Sequence, residues 1–171
     1  DAWRGKRYLP VKSKGLSFGL FACTMALIAC GEVDPPTCGP QRATVISVID
    51  GDTVILESGE RIRYWFVDTP ELNGSDGAEC FADEARQLNL QLVDGREVNL
   101  EYPPIEQGCR DRYDRLLALV SVDGVSLNRT LVERGYARVE SFGDEHPILG
   151  ELEYLEAEAQ SQNKGLWGAC K

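Results

Sequence analysis

The chain predicts an α+β fold, mainly β, on three observations. Short runs rich in Val, Ile, Thr and aromatics recur between residues 42 and 122, most of them bounded by Asp-Gly or Ser-Gly turn pairs. One segment of helical period interrupts those runs, and two more follow them. Charged residues are 27% and apolar residues 43% of the chain, the balance of a globular domain. Five short strands interrupted by one helix fit a partly open barrel of the OB-fold type, so the expectation is a five-stranded OB-fold barrel with three helices.

Residues 42–67 break at Asp50-Gly51 and Ser58-Gly59, which reads as three consecutive strands joined by tight turns. Residues 72–80 are a polar, glycine-containing loop. From about Cys80 the period becomes helical, with Phe81, Ala85, Leu88 and Leu92 on one face until Asp94-Gly95 ends it. Arg96 to Glu101 alternates as a fourth strand, and Pro103-Pro104 to Cys109 is a loop. Leu116 to Val122 is the fifth strand, closed by Asp123-Gly124. Ser126 caps a second helix that carries Leu127, Leu131 and Val132 and stops at Gly135. After a His146-Pro147 turn, Leu149, Leu152, Leu155 and Ala159 stripe a third helix that ends near Lys164-Gly165.

Ahead of this domain the composition changes. Arg4, Lys6, Arg7, Lys12 and Lys14 form a basic leader, and Gly15 to Ala29 is uncharged and apolar, as in a secretory signal. Leu27-Ile28-Ala29-Cys30 resembles the lipobox of bacterial lipoproteins, in which the cysteine is lipidated. The expected organisation is a signal peptide with lipobox at 1–30, a tether at 31–41 and the folded domain at 42–168. The protein is then exported and membrane-anchored, facing the periplasm or the cell exterior; a plain signal peptide would make it secreted instead.

Cys38, Cys80, Cys109 and Cys170 remain for the exported domain, and four cysteines there suggest two disulfides. Three connectivities are possible. Because domain termini often lie close together, the expectation is Cys38 with Cys170, leaving Cys80 with Cys109. No C-x-x-C spacing exists and His146 is the one histidine, which argues against a zinc site and against a histidine-based nucleophile system.

Charge argues against a general polyanion binder. The chain carries −10; setting aside the five basic and one acidic residues of 1–30 leaves 13 basic against 27 acidic residues, or −14. Phosphate contacts ordinarily come from Lys and Arg, so any nucleic-acid chemistry must rest on a local site.

Three clusters supply one. The turn Ile49 to Val54 holds two carboxylates; by itself Asp-Gly is only a turn. Arg63 to Glu71 sets polar groups at the end of an apolar strand, where alternation places Arg63, Trp65 and Val67 on one face and Tyr64, Phe66 and Asp68 on the other. Arg110 to Arg115 is a charged loop before the fifth strand. Asp52 and Asp68 offer hard oxygen ligands to calcium, with the carbonyl of Thr69 adding another. Arg63 and Arg115 can fork onto phosphate oxygens, and Glu71 remains to orient or deprotonate water.

The strings D-G-D-T-V at 50–54, R-Y-W-F-V-D-T-P-E at 63–71, E-C-F-A-D-E-A at 79–85, R-D-R-Y-D-R at 110–115, L-V-E-R-G-Y-A at 131–137 and N-K-G-L-W at 163–167 resemble, in order and spacing, the thermonuclease (staphylococcal nuclease-like) family. The resemblance covers about residues 42–168. It implies calcium-dependent cleavage of DNA and RNA, with Asp52, Asp68 and Thr69 as calcium ligands, Asp50 as a carboxylate behind them, and Arg63, Glu71 and Arg115 as catalytic residues. It also implies a nucleotide contact at Tyr113, and Arg112 adds a neighbouring cation for the polyanion. The partners expected are nucleic acid and the lipid anchor, with the domain a monomer. The alternative is a catalytically weak nucleic-acid-binding OB-fold module on a lipoprotein. Two departures stand out: Asp114 replaces the glycine usual before the second arginine, and the loop Leu72 to Glu79 lacks lysine.

Overall fold

The computed structural model describes residues 37–75, 77–141, 143 and 145–170. The leader, Cys30 and residues 31–36 lie outside the described residues. Among the described residues no helix is long and apolar enough to cross a membrane.

The chain opens with the expected meander: β1 (Arg42–Val48), β2 (Thr53–Leu56) and β3 (Arg61–Tyr64), each antiparallel to the one before. A two-residue strand, β4 (Val67–Asp68), follows, and then α1 (Ala82–Val93). β5 (Glu97–Glu101) pairs antiparallel with the free edge of β1. β6 (Leu116–Val122) pairs antiparallel with β5 and parallel with β3, matching Ile62 to Leu116 and Arg63 to Leu117. That last pairing closes five strands into a mixed barrel and removes the open edges. Val45, Val54, Leu56, Ile62, Val98 and Ala118 fill its interior.

A short β7 (Val125–Ser126) turns the chain into α2 (Leu127–Glu133), where the Ser126 hydroxyl accepts from the Arg129 amide as expected of a cap. β8 (Arg138–Val139) pairs with β4 in a separate ladder. The third helix, α3 (Pro147–Ser161), is followed by a short α4 (Leu166–Ala169) that the sequence did not announce. Gly165 makes that last turn possible: a Cβ there would sit 2.1 Å from the Gly135 carbonyl oxygen.

Three expectations are corrected. The run from Arg63 to Asp68 is not one strand, because Phe66 adopts φ 64° and Trp65-Phe66 forms a turn between β3 and β4. That turn resets the alternation and brings Asp68 to the side of Arg63. The disulfides join Cys38 to Cys109 and Cys80 to Cys170, not Cys38 to Cys170 and Cys80 to Cys109. Sheet order explains the first: β1 runs antiparallel to β5, so the residues before β1 lie beside the chain that leaves β5 toward Cys109. The second follows from α4, which returns Cys170 to the start of α1.

The residues just before β1 are held to the barrel. Besides the Cys38 bond, the Tyr102 hydroxyl donates to the Pro40 carbonyl at 2.9 Å and the Leu100 amide to that of Gln41 at 2.9 Å. Finally, His146 is not merely a turn residue. Its Nδ1 accepts from the Ile148 amide and caps α3, while its ring packs against Trp65 and Phe66.

Candidate active site

The turn between β1 and β2 is shaped by its own polar groups. The Asp50 side chain accepts from the Asp52 amide, and the Asp50 carbonyl accepts from the buried Asn89 amide of α1. Asn89 in turn accepts from the Tyr64 hydroxyl, so barrel and helix pin the turn together. Gly51 has no room for a side chain: a Cβ would stand 2.7 Å from the Thr69 side chain and 2.8 Å from that of Ala85.

This closeness sets Thr69 against Asp52. Asp52 is 2% exposed; its Oδ2 accepts from the Thr69 amide at 2.7 Å and hydroxyl at 2.9 Å, and its Oδ1 from the Thr53 hydroxyl at 3.1 Å. The carboxylate is thus fixed before any ligand arrives.

Arg63 lies between the predicted acids. Its Nη1 pairs with Asp52, and its Nη2 with Asp68 at 2.6 Å and Glu140 at 3.3 Å. Burial works against its charge, but Asp52 and Asp68 outweigh burial and hold the guanidinium firmly protonated. The carboxylates feel the crowding in the other direction. Asp50 is pushed up to about 7 by burial and by Asp52. Glu71 is raised by burial and by Asp52 and Asp68, against the opposing pull of Arg63 and Arg115. Five acids thus gather about one buried cation.

The second arginine comes from the loop before β6. Arg115 Nε pairs with Asp111 at 2.7 Å, and its Nη1 reaches the Thr53 hydroxyl at 3.3 Å. Asp111 also accepts from the amides of Tyr113 and Arg115; these bonds overcome its partial burial and hold its carboxyl below the usual range. Asp114, where the family resemblance implies glycine, takes φ 63°, so the turn keeps the conformation that glycine favours. Tyr113 is 56% exposed, with the Arg112 guanidinium 4.8 Å from its ring centre.

Arg63, Asp68, Glu71, Arg112, Tyr113 and Arg115 therefore line one cleft of about 460 Å³, joined by Asp111 and Glu140. Asp50, Asp52 and Thr69 stand in the turns behind Arg63. Among the described residues, no three acidic, imidazole or thiolate groups converge closely enough to hold a metal unaided, because Arg63 separates Asp52 from Asp68. Sequence reasoning missed two functional neighbours. Asp111 carries a local signal, an acid four residues before an arginine; Glu140 has none, since it meets Arg63 from 77 residues away.

The family described as staphylococcal nuclease homologue matches residues 61–169. The chain belongs to the staphylococcal nuclease family. Endonuclease YncB of Bacillus subtilis (strain 168) is 33% identical over 131 residues, covering 74% of this chain and 61% of the relative. The SPbeta prophage-derived endonuclease YokF of the same organism is 32% identical over 129 residues, covering 72% of this chain and 43% of the relative. Thermonuclease of Staphylococcus hyicus is 30% identical over 131 residues, covering 74% and 76%. The chain thus spans about three fifths and two fifths of the two Bacillus relatives. As a staphylococcal nuclease family member, it keeps arginines from two distant segments on the cleft that the family match includes.

Proposed function

We propose that this protein hydrolyses phosphodiester bonds of DNA or RNA, that calcium assists it, and that it works outside the cytoplasm, anchored at Cys30. The observation that carries the reading is the convergence of Arg63, Glu71 and Arg115 on one cleft with Asp68 at its wall. The names of the relatives, endonuclease and thermonuclease, support the same chemistry.

Donor chemistry suits calcium. Asp52, Asp68 and the Thr69 carbonyl are all hard oxygens, and Asp50 and Glu71 stand beside them, raised first by burial and then by the neighbouring acids. Bound calcium would polarise a phosphoryl oxygen and offset charge that builds on the phosphate. Asp52 is held by Thr69 and Thr53, so it stays in place whichever cation it faces. Arg63 turns one nitrogen from its carboxylates to a phosphate oxygen, and Arg115, aligned by Asp111, forks onto the other side. Glu71 accepts a proton from the attacking water, and its raised affinity for protons suits that role.

The test is cleavage of labelled single-stranded DNA by the full chain, with calcium and with chelator, beside calorimetric calcium binding. Calcium-dependent cleavage absent from Arg63→Ala is expected. No cleavage above that variant at any calcium concentration rejects the hydrolase and leaves a binding module. Mass spectrometry of the membrane fraction tests the anchor: a diacylglyceryl group on Cys30 is expected, and an unmodified or soluble chain rejects it.

A further inference from the structure

A second cavity, of about 700 Å³, lies away from the cleft and is lined by Phe81, Glu133, Arg134, Tyr136, Lys164 and Gly165. Its walls come from three segments, the residue ahead of α1, the end of α2 and the loop before α4, of which the last two are bonded together. The Leu166 amide donates to the Gly135 carbonyl at 2.8 Å, and the Trp167 amide to that of Lys164 at 3.1 Å. Phe81 meets Tyr136 edge-on, 4.9 Å between ring centres. Phe81 holds φ 75° ahead of α1, an uncommon conformation for a bulky residue, and Cys80 beside it is bonded to Cys170. Aromatic faces are thereby set at the surface on a braced frame.

The described cations fall into two sets. Arg63, Arg96, Arg110, Arg115 and Arg129 each pair with a carboxylate. Among the described residues, Arg134, Lys164 and Arg138 pair with no carboxylate, nor do Arg42, Arg61, Arg86 and Arg112, although acids outnumber bases over residues 31–171 by 27 to 13. Glu133 is the one acid on the cavity wall. The Arg138 guanidinium lies over the Trp167 ring, 5.4 Å from its centre, and the buried Trp167 indole N–H has no hydrogen-bond acceptor among the described residues.

The patch also connects to the cleft. Arg138 is the register partner of Asp68 across the β4–β8 ladder, and residues directly opposite in an antiparallel pair share a face. From Asp68 the surface therefore runs through Arg138 and Trp167 to Lys164, Arg134, Tyr136 and Phe81.

We propose that this run is a second binding segment for the same strand: a single-stranded polynucleotide leaving the cleft lays its phosphates on Arg138, Lys164 and Arg134 and sets a base against Tyr136 and Phe81. Unpaired cations interleaved with aromatic faces suit a chain in which anions and planar rings alternate. The occupant rests on the nucleic-acid reading above, but the proposal concerns binding alone and does not need hydrolysis.

The experiment uses the full chain in chelator, so that no turnover occurs, and measures anisotropy of labelled oligothymidylates of about 3 and about 15 nucleotides across a salt series. The variant is Arg134→Gln with Lys164→Gln, checked for an unchanged melting temperature, with Tyr136→Leu as a second. Wild type should gain affinity with length, and the double variant should lose most of that gain. Its log–log salt slope for the longer strand should be shallower by about 1.4, at about 0.7 per lost phosphate contact. Wild-type slope and affinity in the folded double variant, or no length dependence in wild type, overturns the proposal. Loss of binding to phosphatidylglycerol vesicles with oligonucleotide binding intact overturns it too, and assigns the patch to a membrane surface. Adding calcium to the same mixture separates the two readings: wild type that binds in this length-dependent way without cutting rejects the hydrolase and leaves this segment standing.

Discussion

Replacing Arg63 with lysine keeps the charge and removes the fork. In the structure one nitrogen faces Asp52 while the other faces Asp68 at 2.6 Å and Glu140 at 3.3 Å. A lysine ammonium is a single point and cannot hold the buried acid while it reaches a phosphate. Asp52 would not be orphaned, because two donors from Thr69 and one from Thr53 remain at 2.7–3.1 Å. The loss to stability is then one charged hydrogen bond, about 1.5–3 kcal/mol, and the domain stays folded. The loss to the reaction is one preorganised donor aimed at developing charge, about 2.7–4 kcal/mol, or roughly 100- to 1,000-fold in kcat. Hydrolysis of single-stranded DNA at saturating substrate and calcium, with a thermal melt of the same sample, reads both numbers. A folded Arg63→Lys protein with kcat within about threefold of wild type, well under 1 kcal/mol, would refute the reasoning.

Glu140→Gln removes one of the carboxylates that hold Arg63 away from substrate, so KM for single-stranded DNA should fall several-fold while kcat holds; an unchanged or higher KM sinks that role. Cys38→Ser with Cys109→Ser opens a closure across 71 residues, which the chain-entropy relation puts at about 4 kcal/mol in denaturant unfolding. Peptide mapping of the unreduced protein should recover Cys38 linked to Cys109 and Cys80 linked to Cys170, and a Cys80–Cys109 fragment would contradict the fold.

The barrel was legible because its signals are local. Asp50-Gly51 and Ser58-Gly59 fall between the strands they were expected to separate, Asp123-Gly124 closes β6, and Ser126 and Gly135 bracket α2. The acids and arginines were legible as residue types for the same reason. What escaped was set by partners far away in sequence. No glycine marks the left-handed turn at Phe66, which is imposed where Trp65 bonds the β6 carbonyl of Ala118, so alternation put Asp68 on the wrong face. The cysteine partners depend on β5 returning to β1 and on α4 returning to α1; closeness of termini is a weaker rule than strand order.

Net charge is the main objection to the proposed polyanion substrate, and the ion pairs bear on it. Some of the acids are spent on arginines: Asp52 and Asp68 grip Arg63, Asp111 aligns Arg115, Asp123 and Glu151 take Arg96 and Arg129. Such pairs cost the field at a distance while fixing guanidiniums that a phosphate meets only at contact. At a Debye length of about 10 Å in 0.1 M salt, a strand approaching the cleft is governed by the nearest side chains and hardly by the −14 total. The side chains that line the cleft are Arg63, Arg112 and Arg115 together with Asp68, Glu71, Asp111 and Glu140, and Arg112 beside Tyr113 pairs with no carboxylate among the described residues. An acidic exterior then adds selectivity, because an anion that cannot span several local cations at once gains too little from any one of them to overcome the repulsion around it.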